Sequence, residues 1–506
     1  MALKRYFSNA DNTISNAYQE SLTVRATGSN IGASDILETF SILGQVSSSA
    51  NGLETELSRI LIQFPISDVI TDRTAGDIPA SGSVSFFLKL YNAEHTRTTP
   101  KNFDLTVSAV SASWQEGDGM DLENYTDKTY DVRGSNWIRS SASVAWASEG
   151  GDYHSSPTST VSMENGRENI EVDVSEFVEQ WIKGASFSNQ YEATNTAKPN
   201  YGFGIKLSDQ YETGEKSYYT KKFFGRGSQF FHKRPQLEAR WDSARRDNRG
   251  DFYLSSSVVP GYENLNKLYV YNYVRGRLRD IRDDDSIAPV MKIYYSSGSV
   301  PEGDNRTFYN SSNAAVTSLT STRLSKGIYY TQFAVTSSTV NSTYPYLVDV
   351  WEYNSTEFFT GSAITPKTHK PLQHNLTNNY ILSISNLKKS YGTTETARFR
   401  LYVRPRNWSP TIYSKAVSTP ESTMISTASY EICREVDNFK VVPYGTGSTQ
   451  HTVLSHDVSG NYFDIDMSLF EAGYSYKIKF AFYDDGVSDY VEQPYEFKFR
   501  VREDVY

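Results

Sequence analysis

Cysteine and long apolar runs are the two features that this sequence has least of. Its 506 residues include one cysteine, Cys433. A single thiol forms neither an intrachain disulfide nor a cluster of thiolate metal ligands. No apolar stretch approaches the roughly 18 residues that a membrane-spanning helix needs. The composition therefore argues against a disulfide-rich fold, a zinc–thiolate module and a helical membrane protein, and we expect no membrane partner.

Runs of basic residues are missing as well. The 50 basic and 59 acidic side chains are mixed along the chain and give a formal net charge of −9. Because a nucleic-acid groove needs a basic stripe, nucleic acid is not an expected partner. The first residues, MALKRYFSNADNTIS, contain no apolar core of a secretory signal. We therefore expect a protein made and retained in the cytoplasm, or released from the cell by another route.

Aromatic residues are abundant, with 37 Tyr and 26 Phe. Such side chains pack well on pleated surfaces and favour β-structure. Most of the chain alternates apolar and polar residues at period two, as in SVSFFLKLYNA (Ser83–Ala93) and FDLTVSAV (Phe103–Val110). In YEFKFRV (Tyr495–Val501) aromatic or aliphatic residues alternate with charged residues without exception. This pattern predicts strands that bury one face.

Helical spacing is rare. IEVDVSEFVEQWIKGAS, which starts at Ile170, is the best example. Ser175 is a candidate N-cap, and Gly184 ends the pattern. One face is apolar and carries Phe177, Val178, Trp181 and Ile182. The spacing predicts one short helix of about two turns.

Two breaks in the pattern divide the chain into three predicted domains. The charged stretch SARRDNRGD (Ser243–Asp251) has no periodicity, and a second break lies near Asn386–Tyr391. The predicted domains are 1–245, 251–386 and 387–506. We expect an all-β protein, in which an N-terminal jelly-roll-like β-sandwich with one short helix is followed by two smaller immunoglobulin-like β-sandwiches.

The segment Ala112–Pro157 is unusual because it contains three tryptophans, a glycine-bracketed acidic cluster and almost no aliphatic residues. Four interpretations are open: an active-site loop, a metal site, a sugar-binding face, or a long structural connection inside a sandwich. The choice among them decides whether the chain is an enzyme.

A series of landmarks in the first half resembles the DNRLRE-type β-sandwich module, which occurs in large bacterial surface proteins and in a carbohydrate-binding module family. The landmarks, in order, are ADNTI (Ala10–Ile14), SNIGASDIL (Ser29–Leu37), SRILIQFPIS (Ser58–Ser67), LTVSAVSASWQEGDG (Leu105–Gly119), IEVDVSEFVEQWIKG (Ile170–Gly184) and RPQLEARW (Arg234–Trp241). The name-giving tail is only loosely kept. The resemblance implies that the tryptophan-rich segment is a crossover around one end of the sandwich, pinned by Trp137 and Trp146.

The last part of the chain, Tyr430–Val501, resembles the C-terminal region of virion structural proteins from T4-like marine tailed phages (cyanophage-like). This resemblance rests on overall character: Tyr-rich strands, long polar loops and few helices. It implies a protein that assembles into virions in the host cytoplasm and leaves the cell by lysis.

Two ligand sites are candidates within the tryptophan-rich segment. Asp118, Asp121 and Asp152, with loop carbonyls, are hard oxygen donors suited to a structural calcium ion; the alternative is that they are solvated loop carboxylates. Separately, an aromatic platform for a sugar ring is a candidate at Trp137, Trp146, Tyr153 and His154, and its alternative is that both indoles are buried pins.

No enzyme motif is found: the sequence has no P-loop, nucleophile elbow or His-Glu-x-x-His. The carboxylates Glu116, Asp118, Asp121 and Asp152, or the run DIRDDDS at Asp280–Ser286, are the best argument for catalysis. A glycosidase needs two carboxylates close together, one with a raised pKa. Glycine-rich loops keep such groups solvated and ionised, so we expect no catalytic residues, no enzyme and no cofactor.

These patterns predict a non-enzymatic virion structural protein, a tail- or neck-attached fibre or decoration component. It would contact other virion proteins and form a homo-oligomer or symmetric array. The candidate docking region is the aromatic set Tyr462, Phe463, Tyr474, Tyr476, Phe482 and Tyr483. The alternative function is a carbohydrate-binding adhesin for host-surface glycans, followed by a polysaccharide-degrading enzyme.

Overall fold

The computed structural model describes residues 2–48, 52–94, 99–120, 134–184, 199–281, 288–339, 343–369, 380–409, 411–416, 422–484 and 486–503. The chain divides into two compact units: Leu3–Trp241, and Asp242–Tyr506 together with the first two residues. Both are built from strands, so the all-β prediction is confirmed.

The first unit contains a four-stranded and a seven-stranded sheet. Its described strands are β1 (Leu3–Phe7), β2 (Ala10–Ser15), β3 (Ile36–Ser48), β4 (Gly52–Gln63), β5 (Ser85–Leu90), β6 (Phe103–Val110), β7 (Tyr153–Met163), β8 (Ile170–Asp173), β9 (Phe203–Leu207), β10 (Tyr218–Phe224) and β11 (Gln236–Arg240). The strand orders are β1-β11-β5-β8 and β10-β3-β4-β9-β6-β7, and β2 also pairs with β4.

The two sheets of the first unit share one apolar core. Strand alternation supplies its side chains: Leu237 and Ala239 face inward from β11, while Ile60 and Ile62 face inward from β4. Trp241, which follows β11, completes the face predicted for that strand. The result is a sandwich with a single main core.

Helices α1 (Ile66–Ala75), α2 (Ser175–Lys183) and α3 (Asp209–Glu212) and a 3₁₀ turn (Phe231–Lys233) complete this unit. Helix α2 lies where the sequence predicts it, but Ser175 does not cap it, because its hydroxyl accepts the backbone N–H of Phe86. Helix α1 is additional to the one predicted. Its Arg73 forms a bidentate ion pair with Glu179 of α2 at 2.6 and 2.7 Å. No described helix is long and apolar enough to cross a membrane.

The outer face of the four-stranded sheet carries a buried ionic network around Glu238. This carboxylate alternates with the inward Leu237 and Ala239 and is completely buried. It accepts a charged hydrogen bond from Arg5 at 2.6 Å, and Arg240 and Lys89 lie at 2.6 and 3.5 Å. Burial alone would raise the pKa of Glu238, but the charges of Lys89, Arg5 and Arg240 outweigh it and hold the pKa far below its usual range.

The second unit contains the remaining strands. They are β12 (Tyr253–Leu254), β13 (Asn266–Tyr271), β14 (Tyr273–Val274), β15 (Arg277–Leu278), β16 (Val290–Ser296), β17 (Phe308–Asn310), β18 (Ala315–Val316), β19 (Leu319–Thr320), β20 (Thr322–Ser325), β21 (Ile328–Ala334), β22 (Tyr346–Tyr353), β23 (Thr356–Thr360), β24 (Lys367–Thr368), β25 (Tyr380–Ile384), β26 (Ser390–Gly392), β27 (Thr396–Pro405), β28 (Ala428–Arg434), β29 (Lys440–Val442), β30 (Ser455–Asp457), β31 (Gly460–Asp466), β32 (Ser475–Asp484), β33 (Asp489–Glu492) and β34 (Phe497–Arg502).

These strands form two successive pairs of sheets. The first pair is β13-β21-β17-β18, with β20 on β21, and β19-β16-β22-β23. The second is β25-β27-β31-β30 and β26-β34-β32-β28-β29, with β33 on β32. Two short two-stranded pairings, β12-β24 and β14-β15, accompany them. Helical segments are short: α4 (Ile412–Ala416) and the 3₁₀ turns Asn248–Gly250, Gly261–Asn264, Ser337–Thr339 and Met467–Leu469.

Aromatic stacking joins the sheets of the last sandwich. Phe463 of β31 stacks on Tyr430 of β28 at 4.1 Å between ring centroids, and it packs edge-on against Phe480 of β32 at 6.0 Å. Strand β34 keeps the predicted two faces, because Phe499 and Val501 are buried while Lys498 and Arg500 are exposed.

Residues 243–251, which precede both sandwiches of the second unit in the sequence, are held in place by Arg249. Its guanidinium pairs with Asp349 and Asp247 and donates to the carbonyl of Tyr269 at 2.8 Å. The backbone N–H of Asp247 then donates to the carbonyl of His456 in β30 at 3.1 Å. The Arg249 side chain thus holds this segment against the first of the two sandwiches, and the backbone of Asp247 links it to the second.

We expect Glu238→Gln to lower the free energy of unfolding of the first sandwich by about 3 kcal/mol at pH 7, because three cations then face a neutral amide. The lowered pKa means that the carboxylate stabilises the fold above its unfolded pKa, and this stabilisation is lost as the pH falls. The difference from the parent chain should therefore shrink below about pH 4. Urea-dependent hydrogen exchange of β1 and β11 amides measures the effect.

Glu171→Gln is the matched control, since Glu171 pairs with Lys89 and Arg240 but its side chain is 43% exposed. It should cost less than Glu238→Gln. Equal losses for the two variants would contradict the central role given to Glu238.

Candidate functional site

The tryptophan-rich segment connects β6 to β7, and the structure describes its residues 111–120 and 134–152. These parts contain little regular structure beyond an isolated bridge between Arg139 and Ala145. A packed segment without regular structure must satisfy its backbone polar groups by other means. Side chains from the sandwich do so here.

Two buried asparagines provide these hydrogen bonds. The amide nitrogens of Asn12 and Asn30 both donate to the carbonyl of Ser135 at 2.8 Å. Asn30 also donates to the carbonyl of Glu116 at 2.7 Å, and its oxygen accepts the backbone N–H of Gly119 at 3.1 Å. Both side chains are at most 1% exposed. The two amides therefore fasten both described parts of the crossover to the strand and loop that carry them.

Gly117 makes this close approach feasible. Its φ of +80° lies in the left-handed region, and a Cβ there would lie 2.4 Å from the side-chain oxygen of Asn30. Any larger residue would push the crossover away from the asparagine.

Trp137 and Trp146 belong to a second, smaller core on the outer face of the seven-stranded sheet. They are 4% and 6% exposed and pack with Ile14 of β2, Leu61 of β4 and Val110 of β6. Leu61 alternates with the inward Ile60 and Ile62, so this strand buries both of its faces. The crossover covers a sheet surface that would otherwise expose apolar side chains to water.

Arg59 lies at the centre of the same cluster. Its guanidinium forms a bidentate pair with Glu212 at 2.7 and 3.0 Å and donates to the carbonyl of Gly150 at 2.9 Å. It also lies 5.1 Å from the ring of Trp137 and 5.9 Å from the ring of Tyr153. The arginine is thus satisfied on its edge by oxygen acceptors and on its face by aromatic rings.

Tyr153 is fixed as a neutral group in this cluster. Its hydroxyl donates to the carbonyl of Gly150 at 2.9 Å, and burial raises its pKa to about 12. Gly204 of β9 lies directly beneath the ring, since a Cβ there would approach the ring to 2.0 Å. Tyr153 is therefore a packed structural side chain rather than an acid–base group.

The candidate sugar platform is buried. Neither Trp137 nor Trp146 presents an open indole face, and the indole N–H of Trp146 donates to the carbonyl of Asn136 at 2.8 Å. His154 follows Tyr153 in β7, where neighbouring side chains point to opposite faces of the sheet. The four residues thus do not form one exposed surface, and the arrangement matches the alternative in which the indoles are buried pins.

The candidate calcium ligands are not brought together within the described residues. Asp152 uses both carboxylate oxygens to accept the backbone N–H groups of Ala147 and Ser148 at 2.8 Å. Asp118 is exposed, and Asp121 lies outside the described residues. The described part of the chain contains no cluster of three or more His, Cys, Asp or Glu side chains able to hold a metal ion.

A buried carboxyl that sequence reasoning missed lies beside the crossover. Asp11 is 1% exposed and accepts the backbone N–H of Arg226 at 2.5 Å. Glu116 accepts the backbone N–H of Asp11 at 2.8 Å and forms a bidentate pair with the Arg226 side chain. Burial, reinforced by the Glu116 charge and opposed by the Arg226 hydrogen bond, raises the pKa of Asp11 to about 7.

The aromatic set of the last sandwich is mostly core. Tyr462, Phe463, Tyr476 and Phe482 are at most 4% exposed, while Tyr474 and Tyr483 are 38% and 37% exposed. The exposed pair lies at opposite ends of the 10-residue strand β32, which separates them by roughly 30 Å. The six residues therefore do not form one patch, and any docking through this set falls to Tyr474 or Tyr483.

Sequence patterns reveal only part of this site. Asn12 and Asn30 lie within the landmarks ADNTI and SNIGASDIL, but nothing in those letters shows that their amides are buried. Arg59 lies between Ser58 and the apolar run Ile60–Ile62 in β4, and it resembles an ordinary exposed strand residue. Only its three-dimensional neighbours show that it is enclosed.

We expect Trp137→Ala to lower the free energy of unfolding of the first sandwich by about 3–5 kcal/mol, because it removes one of the two buried indoles of the small core. Hydrogen exchange within residues 134–152 should accelerate. Val144→Ala is the control, since Val144 is 54% exposed in the same crossover. A Trp137→Ala chain with unchanged exchange would contradict the role of the indole as a pin.

Asp11→Asn should stabilise the first sandwich by about 2 kcal/mol at pH 8 and have no effect at pH 3. Because the pKa of Asp11 is raised in the folded state, the folded protein keeps this carboxyl protonated at pH values where the unfolded chain has already lost the proton. The parent chain therefore loses stability as the pH rises from about 4 to about 7. The amide keeps an oxygen for the Arg226 N–H and never ionises. Thermal unfolding of Asp11→Asn and of the parent chain from about pH 3 to about pH 8 measures the effect, and Asp118→Asn is the control because Asp118 is exposed. If Asp11→Asn is less stable than the parent at pH 8, the prediction is wrong.

Comparisons with known proteins leave the family open. No family model matches the chain, and no curated protein matches it. A solved structure of titin A168169 matches over 48% of this chain and 92% of its own length, with 7% identity and a TM-score of 0.14. A DUF4785 family protein from Legionella pneumophila covers 92% of this chain and 89% of its own, with 8% identity and a TM-score of 0.12. Scores this low carry no argument, so the resemblance to the DNRLRE-type module stays a prediction.

Proposed function

We propose that the chain is a non-enzymatic structural protein of a tailed-phage virion, a tail- or neck-attached fibre or decoration component that acts through protein–protein interfaces. The observation that carries the proposal is the crossover of the first sandwich. Its tryptophans fill a buried core, and its best-placed carboxylates are occupied by backbone N–H groups or by arginine. The crossover, which contains the best candidate catalytic carboxylates of the sequence, thus packs as a structural layer on the outer face of the seven-stranded sheet.

The resemblance of Tyr430–Val501 to virion proteins of T4-like phages supplies the biological context for this proposal. The β-sandwich fold is compatible with this context, since such a fold does not by itself specify a catalytic site. Such components repeat around a symmetric particle, so a homo-oligomer or symmetric array is part of the proposal.

Exposed aromatic residues are the candidate contact points. Tyr262 and Tyr273 are 73% and 62% exposed in the second unit, and Phe230 and Phe231 are 46% and 44% exposed in the first. Aromatic side chains give large contact area at low entropic cost, which makes them frequent anchors of protein interfaces. Tyr474 and Tyr483 add two smaller exposed surfaces in the last sandwich.

Particle labelling tests this function. Antibodies raised against the purified chain should label virions that have been separated from lysate on a density gradient, at a fixed position on the tail or neck. Mass spectrometry of the same fraction should find the chain at constant stoichiometry to the major capsid protein. An antibody against a non-virion protein of the same lysate is the control.

Two results would overturn the proposal. One is a chain abundant in the infected-cell lysate but absent from purified particles. The other is release of reducing ends from a polysaccharide by the purified chain, which would make it an enzyme.

A further inference from the structure

Strand β27 presents a basic stripe on the outer face of the last sandwich. Ala397, Phe399, Leu401 and Val403 point into the core, so the alternating side chains Arg398, Arg400, Tyr402 and Arg404 point outward. Three arginines on one strand face are mutually repulsive unless each is neutralised.

Two of these arginines are neutralised by carboxylates of the same sheet. Arg398 forms a bidentate pair with Asp464, its cross-strand partner in β31, at 2.7 and 2.9 Å. Arg400 forms a bidentate pair with Asp457 of β30 at 2.9 and 3.0 Å. Fork-to-fork geometry of this kind leaves little charge to attract an external anion.

Arg404 is the exception. Its cross-strand partner is Ile381, and among the described residues no carboxylate forms an ion pair with it. Instead its guanidinium lies 5.2 Å from the ring centroid of Trp408, which follows in the turn after β27. The turn is closed by a hydrogen bond from the N–H of Trp408 to the carbonyl of Pro405 at 3.2 Å. The indole thus holds the third guanidinium without neutralising its charge.

Arg404 and Trp408 line an open groove of about 890 Å³, a size within the usual range of ligand sites. The outer face of β25 and β27 forms its floor. Lys367 of the preceding sandwich also lines the groove, but it is paired with Asp251 at 3.0 Å, so its charge is already compensated. No carboxylate side chain is found among its described lining residues. Hydroxyl groups are frequent there: Ser383, Ser385, Tyr402, Ser422 and Ser459.

We infer that this groove binds an acidic saccharide, a chain of sugar units that carry carboxylate or sulfate groups. A guanidinium without a protein carboxylate recognises such anions in bidentate geometry. Serine and tyrosine hydroxyls both donate and accept, which suits the hydroxyls of a sugar. A partly exposed indole supplies the apolar surface on which a sugar ring packs.

The same features argue against other polyanions. A nucleic acid needs several cations along its backbone and stacking surfaces at base spacing. Here two of the three arginines are already paired, and the groove has one tryptophan. The inference does not depend on the proposed virion function. The groove is also a different site from the sugar platform that the sequence suggested at Trp137 and Trp146.

Calorimetric titration of the full chain tests the inference with three probes: a galacturonic acid hexamer, a chemically sulfated maltohexaose and unmodified maltohexaose. At least one acidic probe should bind saturably, and neutral maltohexaose should bind about tenfold or more weakly, the effect of losing one charge-assisted contact. Arg404→Gln and Trp408→Ala should each weaken acidic binding by about tenfold. Arg404→Lys, which keeps the charge but loses the fork, should fall between Arg404→Gln and the parent.

Arg406→Gln is the matched control, because Arg406 is exposed in the same turn, carries the same charge and does not line the groove. Its affinity should equal that of the parent chain. Hydrogen exchange of β27 amides verifies that each variant is folded. The inference is overturned if neither acidic probe binds saturably, if Arg406→Gln loses as much affinity as Arg404→Gln, or if neutral maltohexaose binds as well as the acidic probes.

Discussion

The hydrogen bonds made by the amides of Asn12 and Asn30 are the interaction on which the first sandwich depends. They satisfy backbone groups of a segment that has almost no secondary structure of its own, and they do so from a site that excludes water. Burying an irregular segment without such partners would cost several unsatisfied polar groups. Because the amides remove that cost, the segment is free to bring two tryptophans onto the sheet.

The consequence is a strand, β4, that is apolar on both faces while lying in an antiparallel sheet. Its inward side chains join the main core, and its outward Leu61 joins the smaller one. Arg59 lies on that same outward face and is accommodated only because Glu212, Gly150 and two aromatic rings surround it. The crossover therefore acts as a third layer over part of the sandwich.

Period-two alternation predicted the all-β class and many individual strands, because a strand that buries one face has apolar residues at every second position. FDLTVSAV coincides with β6, and the two faces of YEFKFRV are those of β34. Helix α1 was missed because SRILIQFPI continues an apolar run from β4 through Pro65, which conceals the change of period at Ile66. The alternation of the last sandwich identified aromatic residues but could not separate the buried Tyr476 from the exposed Tyr474 next to the same strand.

The charged groups show a similar limit. Nothing in LEAR distinguishes the buried Glu238 from an exposed strand glutamate, because two of its three cationic partners, Arg5 and Lys89, come from strands that are distant in the sequence. The groove at Arg404 depends likewise on which arginines of one strand find carboxylates on neighbouring strands. Sequence supplies the spacing of such groups, and only the register of the sheet decides which of them are paired.

The pairing of β1 with β11 aligns Leu3 with Arg240, so the first and last strands of the first sandwich lie side by side. A domain whose first and last strands are adjacent can be inserted into a loop of another protein without distorting that protein, because the two ends of the loop stay close together. The same closure means that the sheet stays incomplete until nearly all of the sandwich has been synthesised, which makes its folding dependent on contacts between distant parts of the chain.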